Sequence, residues 1–269
     1  MNSVISANQM SGRESFETIA GCKIRLLRGG KGAPLLYLHG ARGGGVWLPF
    51  MEKLAGRFEV IAPEHPGFGA SDTPPWLDNI ADLAYFYLDL IEQFDFENLT
   101  LIGSSLGGWT AAEIAVRNCA RLKSLVLSCS AGIHVKGVPK GDIFLWPNEM
   151  LVRNMFHDQK FADAMLAPEP DDAQQMVLAK NKLTSARLGW QPRLYNPHLA
   201  KWLHRISVPT LLLWGDDDKV IPPAYGPAFR DLISGSKLVV FENCGHVPHV
   251  EKMDEWTDEV LAFASKAAR

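Results

Sequence analysis

The chain has 269 residues, 47% hydrophobic and 21% charged, a profile ordinary for a soluble globular chain of one large or two small domains. A net charge of −3 without any Lys/Arg cluster argues against a nucleic-acid partner. No apolar run approaches the ~18 residues of a membrane span, and the first twelve residues lack an apolar signal core, so a cytoplasmic protein with no membrane partner is expected.

Residues 1–12 read as a loose tail. Phe16–Ala20 and Cys22–Leu27 form two strand-like runs about a tight turn at Gly21, the pattern of an antiparallel hairpin. Gly29-Gly30-Lys31-Gly32-Ala33-Pro34 is a turn cluster without the Gly-Lys-Ser/Thr of a phosphate loop. Leu35–Leu38 is a short apolar strand that ends in His39-Gly40-Ala41-Arg42-Gly43-Gly44-Gly45. Helical spacing is predicted over Trp47–Leu54 and Ile80–Phe94, with a strand at Phe58–Ala62 and a Gly/Pro-rich loop over 63–72.

Leu99-Thr100-Leu101-Ile102 then breaks into Gly103-Ser104-Ser105-Leu106-Gly107-Gly108, and a helical pattern follows from Trp109 to Asn118. Strand, sharp turn and helix place the Ser105 hydroxyl at a helix N-terminus, where free N–H groups favour developing negative charge. A strand at Leu122–Cys129 follows. From about Gly132 to Arg205 the pattern changes to helical pieces broken by prolines, rich in Phe, Trp and Met. Most of these large side chains read as local core and the remainder as pocket lining. Strands resume at Thr210–Trp214 and Lys237–Phe241, with helices expected over Ala224–Ile233 and Met253–Ala267.

Alternation of strands and helices predicts an α/β fold with a mostly parallel central sheet flanked by helices. The ligand site of such a sheet lies beyond the carboxyl ends of its strands. The expected division is a core of 1–131 and 206–269 with a small helical cap insertion at 132–205. None of Cys22, Cys119, Cys129 and Cys244 forms a Cys-x-x-Cys pair, so free thiols are expected and a zinc site is not.

A serine hydroxyl needs a base, and the base an orienting carboxylate. Asp216, Asp217 and Asp218 follow the Thr210–Trp214 strand, and His246 and His249 follow the last strand. The order Ser, Asp, His, with His39-Gly40, Gly103–Gly108, Gly215-Asp216-Asp217-Asp218 with Pro222, and Gly245-His246-Val247-Pro248, resembles the α/β-hydrolase superfamily over about Phe16–Ala264. The resemblance implies Ser105 as nucleophile, Asp218 as the acid by the Gly-x-x-Asp-x-x-x-Pro spacing, and His246 as the base in Gly-His-x-Pro. It implies backbone N–H groups of Ala41 and Leu106 as the oxyanion hole. Asp216 and Asp217 are then loop carboxylates, His39 is structural, His249 packs under its loop, and Glu251 caps the segment after it. A metal pair at His246 and His249 lacks a carboxylate or cysteine partner, and neither metal nor cofactor is expected.

A serine nucleophile favours esterases, lactonases and carbon–carbon bond hydrolases over the branches that use aspartate. His39-Gly40-x-x-Gly43 with Trp47 looks like the carbon–carbon group, but Ser104 and Val247 stand where that group usually has Asn and Trp. The expected activity is therefore a serine hydrolase of a small, largely apolar carboxylic ester or related acyl compound. The alternatives are carbon–carbon cleavage of vinylogous diketo-acids and, in another class, a small-molecule receptor. Arg42, Ser104, Trp190 and Val247 are the substrate-binding candidates, Arg187 is a second cationic candidate for an anionic substrate, and the sequence leaves a homodimer open.

Overall fold

The apolar runs sort their side chains onto two faces of a sheet. Every residue of Leu99–Ser104 is buried. Leu101 joins one hydrophobic cluster and Ile102 the other. In Thr210–Gly215, Leu212 and Trp214 side with Leu101, while Leu211 and Leu213 side with Ile102. Strands covered on both faces carry continuous apolar sequence, because the period of two sends alternate residues to opposite layers.

The computed structural model describes residues 12–266. Its strands are β1 (Arg13–Ile19), β2 (Cys22–Gly29), β3 (Ala33–Leu38), β4 (Phe58–Pro63), β5 (Leu99–Ser104), β6 (Leu122–Ser128), β7 (Thr210–Gly215) and β8 (Lys237–Phe241). They form one sheet in the order β1-β2-β4-β3-β5-β6-β7-β8. β2 pairs antiparallel with β1 and β4, and every other neighbouring pair is parallel. The predicted hairpin turns at Ala20 and Gly21, both at positive φ. The expected tail, Gly12 apart, and the end of the last helix at Ala267 lie outside the described residues.

Helices α1 (Pro49–Ala55) and α9 (Met253–Lys266) cover one face through Phe50, Leu54, Trp256 and Val260. Helices α2 (Ile80–Gln93), α3 (Leu106–Arg117) and α7 (Tyr225–Leu232) cover the other through Leu83, Tyr87, Ile114 and Phe229. A short helix α8 (Pro248–Glu251) precedes α9. Residues 132–205 hold α4 (Asn148–Met155), α5 (Gln159–Leu166), α6 (Asp172–Gly189) and a 3-10 helix (Ala200–Arg205). The start of this segment is tied to the stretch before the 3-10 helix, where Gly132 N–H donates to Leu194 O and Asn196 N–H to Gly132 O.

Several boundaries differ from the sequence expectation, by up to three residues at the start of β1 and at two helix starts. α1 starts at Pro49, where proline's fixed φ suits the first helical turn, and Trp47 precedes it with its indole N–H on Glu52. α3 starts at Leu106, three residues early, because Gly107 and Gly108 give the helix no side chains from which a period can be read.

Helix α2 starts at a full capping box, Asn79 accepting from Ala81 and Asp82 N–H and Asp82 reaching back to Asn79 N–H. The register Leu38–Gly103 and Ser104–Ser128 aligns the carboxyl ends of β3, β5 and β6. The loops after β3 and β5 run in opposite directions along the sheet, so a crevice opens between them.

A Cβ at Gly103 would lie 2.2 Å from Gly107 O and 2.7 Å from Gly108 Cα, both backbone atoms. Gly103→Ala is therefore expected to cost at least about 2 kcal/mol, as overpacking does, and to lower Tm by several degrees. Gly56, at φ −64° with only Lys53 O near its added Cβ, is the matched control. Gly56→Ala should leave Tm unchanged or slightly raised. Equal melting curves for the two variants would contradict this reading of the turn.

Candidate active site

Ser105 sits between β5 and α3 at φ 56°, ψ −113°, a conformation that L residues adopt only when their surroundings enforce it. Its N–H donates to Ser128 O (2.9 Å), and its carbonyl accepts from Trp109 and Ala131 N–H (both 3.1 Å). The backbone is thus held on both sides and the hydroxyl projects beyond the sheet.

Ser105 Oγ lies 2.9 Å from His246 Nε2, and His246 Nδ1 lies 2.8 Å from Asp218 Oδ2. Asp218 and His246 are buried. Asp218 Oδ1 accepts from the N–H groups of Val220 and Ile221, both at 2.8 Å. This carboxylate is clamped at both oxygens, and its Oδ2 holds the imidazole in the tautomer that leaves Nε2 facing the serine. The neighbouring aspartates point elsewhere. Asp216 accepts from Cys244 N–H, and Asp217 pairs with His157 and Lys219.

The loop after β3 approaches Ser105 closely, since a Cβ on Gly40 would stand 3.3 Å from Ser105 Cβ. His39 Nδ1–H donates to Gly40 O (2.7 Å), and Gly43 N–H donates to the same oxygen (3.1 Å). A trans peptide points its C=O and N–H in opposite directions, so fixing Gly40 O aims the Ala41 N–H away from His39. His39 Nε2 accepts from His65 N–H (3.0 Å), while His65 donates Nε2–H to His39 O (2.9 Å) and takes the Tyr87 hydroxyl at Nδ1. The Leu106 N–H opens α3 and so has no carbonyl within the helix to meet.

Arg42, Ser104, Ser105, His246 and Val247 all line one cavity of about 550 Å³, whose opposite wall comes from Phe144, Trp146, Met155, Phe156 and Met165 of the insertion. Ser104 shares a side-chain hydrogen bond with Tyr37, whose hydroxyl burial pushes up. Arg42 is half-buried and donates Nη1–H to Asn148 Oδ1 (3.0 Å). No carboxylate pairs with it among the described residues. Burial accordingly lowers the guanidinium pKa.

Trp190 does not line the cavity. It closes α6 nine residues beyond Asn181, about 180° around the helix at 100° per residue. It lies behind Phe144 with Arg193 stacked 3.9 Å over its ring. Arg187 is exposed and also stands off the cavity. Glu251 does not cap its own following segment. It accepts from Gly245 N–H (2.7 Å) and from Asp158 N–H (2.5 Å), tying the His246 loop to the start of α5. His246 N–H itself donates to Met155 O (2.7 Å) at the end of α4.

His249 is buried edge-on to Phe50 and Trp256, with its Nδ1 unpaired. Cys129, Asp218 and His246 bring three metal-capable atoms within 4.8 Å of one another. That donor set suits a metal poorly, because both Asp218 oxygens are already taken by two amides and the imidazole. Burial and the nearby Asp218 also push the Cys129 thiol pKa well up, away from the thiolate a metal wants. No helix among the described residues is long and apolar enough to cross a membrane.

Buried histidines give the protein a pH dependence with a definite sign. Burial lowers the pKa of His39 to about 4 and of His249 to about 3, the latter helped by His246, and that of His65 well below 6.5. A depressed histidine pKa means that the unfolded chain binds protons which the native chain refuses. Stability is full above the unfolded value of 6.5 and is lost as pH falls from there toward 4. Each such histidine contributes a slope of about 1.4 kcal/mol per pH unit. Tm should therefore fall clearly between pH 6.5 and pH 5, above the range where ordinary carboxylates titrate. A flat Tm across that window, followed by circular dichroism, would refute the assignment.

The chain is 29% identical over 272 residues to the 2-hydroxy-6-oxo-6-(2'-aminophenyl)hexa-2,4-dienoic acid hydrolase of Metapseudomonas resinovorans, covering 95% of this chain and 92% of that protein. It is 29% identical over 245 residues to Lipase 1 of Psychrobacter immobilis, covering 87% and 77%. Among solved structures, that of a membrane phospholipase A superposes with a TM-score of 0.76 at 28% identity, covering 96% of this chain and 87% of the other. The model of the alpha/beta hydrolase family matches residues 35–260, and the chain, with its eight-stranded sheet and flanking helices, belongs to that family.

Proposed function

We propose that this hydrolase cleaves a small, largely apolar carboxylic ester or related acyl compound through an acyl-Ser105 intermediate. The observation that carries the reading is the unbroken line Asp218–His246–Ser105, with contacts of 2.8 and 2.9 Å, opening on an apolar cavity. In this scheme Ser105 Oγ attacks the carbonyl carbon as His246 Nε2 takes its proton. The N–H groups of Ala41 and Leu106 hold the oxyanion, where fixed dipoles need no reorganisation. His246 then returns the proton to the leaving group and activates the water that releases the acid. Asp218 keeps the imidazole in its working tautomer. Residues 132–205 act as the cap of this cavity over a core of 1–131 and 206–269.

A second reading has one observation in its favour. Arg42 brings a cation to the cavity wall with only a neutral amide for partner. A diketo-acid substrate carries a carboxylate that would meet it, and the relative from Metapseudomonas resinovorans is named for such a substrate. Against it stand Ser104 and Val247 in place of the usual Asn and Trp. Trp47, part of the sequence likeness to that group, lies off the cavity.

Ser105→Ala should lower kcat by at least ~10³-fold, since members of a triad act as a unit. An aryl phosphonate should label Ser105 and not Ser104. Asp218→Asn should fall by orders of magnitude, because its amide stabilises the wrong imidazole tautomer. Asp216→Asn should stay within about tenfold, or 1.4 kcal/mol. The reverse ranking refutes the acid assignment, and undiminished turnover in Ser105→Ala refutes the nucleophile. Ligand binding with no Ser105-dependent turnover of any ester or diketo-acid would identify a receptor.

The bond that is broken is decided by offering short aryl esters and a ring-cleavage diketo-acid side by side. Larger kcat/KM is expected for the esters. A ~10²-fold advantage for the diketo-acid, about 2.7 kcal/mol in transition-state binding, would replace the ester reading with carbon–carbon cleavage.

A further inference from the structure

Helix α6 carries an inverted pattern. It buries Asn181, Thr184 and Ser185 and leaves Met176 and Leu183 about three-quarters exposed (72% and 73%). The buried polar side chains lie on one face, as the spacing i, i+3, i+4 dictates. All of their hydrogen bonds run to backbone groups of two core loops. Ser185 Oγ–H donates to Ala41 O (2.9 Å), and Asn181 Nδ2–H to Arg42 O (2.9 Å). Thr184 Oγ1–H donates to Gly67 O (2.6 Å). Asn181 Oδ1 accepts from Gly69 N–H (2.9 Å), and Lys180 Nζ reaches Gly69 O and Ser71 O (2.8 and 2.7 Å).

The loops are built to admit this helix. Gly43 adopts φ +103°, and a Cβ there would stand 2.4 Å from Asn181 Nδ2. Gly67 adopts φ +85°, and a Cβ there would stand 2.6 Å from Thr184 Cγ2. A side chain at either position would have to displace the Asn181 amide or the Thr184 side chain.

These contacts complete the anchoring of one peptide. His39 and Gly43 hold Gly40 O, on one side of the Ala41 N–H. Ser185 and Asn181 hold the next two carbonyls, on its other side. The first anchor aims the Gly40–Ala41 peptide plane, but that plane can still rock through Gly40 ψ and Ala41 φ while the carbonyls after it are free. With both, its N–H has a single direction.

We infer that Asn181 and Ser185 are positioning residues for the oxyanion hole, so that seating of α6 and alignment of the Ala41 N–H are one event. The inference rests on the acyl-Ser105 reading above. Asn181 and Ser185 also line the cavity, but their hydrogen bonds go to the loop backbone, so the inference makes the rate of the chemical step depend on how the helix is seated. Lys180 and Thr184 grip only the 64–72 loop, and they seat the helix without directing the hole.

The test uses the full chain with 4-nitrophenyl acetate. Ser185→Ala and Asn181→Ala should each lower kcat by about tenfold or more, with KM within about threefold, as loss of a well-aimed oxyanion donor does. Ser185→Thr, which restores a hydroxyl, should recover most of the loss. Thr184→Val removes one hydrogen bond of the same helix and should stay within about twofold. A trifluoromethyl ketone, which forms a tetrahedral adduct with an oxyanion, should lose affinity by the same factor as kcat in Ser185→Ala. The matched methyl ketone should not. A second readout does not depend on activity: amide exchange over 39–45 should speed up in Ser185→Ala and Asn181→Ala but not in Thr184→Val.

The inference is overturned if both variants keep kcat within twofold, if Thr184→Val falls as far as Ser185→Ala, if the two ketones weaken together, or if exchange over 39–45 is unchanged. Failure of the wild-type chain to turn over esters or to be labelled by a phosphonate rejects the acyl-Ser105 reading instead. The exchange measurement still decides whether α6 holds the loop.

Discussion

The constraint on which the rest depends is the backbone of Ser105. A non-glycine residue at φ 56° is held there by its neighbours, and those neighbours fix the middle of the sheet. Gly107 comes so near to β3 that a Cβ would stand 2.1 Å from Leu38 O, and Gly108 so near to Ser130 that one would stand 2.7 Å from its Oγ. The start of α3 is therefore wedged between the ends of β3 and β6. That wedge explains why glycine is needed before and after the serine. It also explains why the loops after β3, β5 and β6 converge, since the ends of all three strands must reach the same turn.

The insertion holds the rest of the site in place. Met155 O accepts the His246 N–H, and Glu251 links Gly245 to Asp158. A Cβ at Gly245 would lie 2.4 Å from Met155 O, so the His246 loop and the end of α4 are in backbone contact. On the opposite rim α6 grips the loop after β3. The candidate base and the candidate oxyanion loop thus each depend on a different helix of the same segment. A roof that only shaped the cavity would need apolar contacts. Here the contacts nearest the chemistry are hydrogen bonds to backbone, which fix direction as well as distance.

Much of this was legible in the sequence, for physical reasons that can be named. Buried parallel strands must be apolar throughout, so β3, β5, β6 and β7 stood out as runs. That Ser105, Asp218 and His246 come together is traceable in the sequence because each sits at a fixed offset from a glycine or proline that shapes its loop. Trp190 was misjudged because aromatic content says nothing about rotation around a helix. Glu251 was misjudged because a carboxylate can reach across to another element as readily as it can cap its own. Asn181 and Ser185 were invisible for a deeper reason. Polar residues on a helix read as its solvent face, and α6 reverses that rule, spending its polar side chains on core backbone.

The electrostatics of the cavity bear on which substrate fits. Burial keeps His39, His65 and His249 uncharged near pH 7 and pushes the Tyr37 hydroxyl and the Cys129 thiol away from ionisation. These groups therefore add hydrogen bonds and shape to the surroundings of Ser105 but no net charge. An uncharged ester entering such a space meets cationic side chains at Arg42 and at the exposed Lys182, both on the cavity lining. That guanidinium is different. It has left part of its hydration for a single amide oxygen, and desolvation of a cation is costly unless an anion or water repays it. With the loop after β3 held by α6, Arg42 has little freedom to swing its backbone toward solvent, so its charge stays at the cavity wall. A substrate that is apolar near the scissile carbonyl and anionic at one end would satisfy both features at once. An ester of that shape is compatible with the proposed acyl-enzyme chemistry without any carbon–carbon step. Under the proposed function, a charge at Arg42 would select a substrate by its end and leave open which bond is broken.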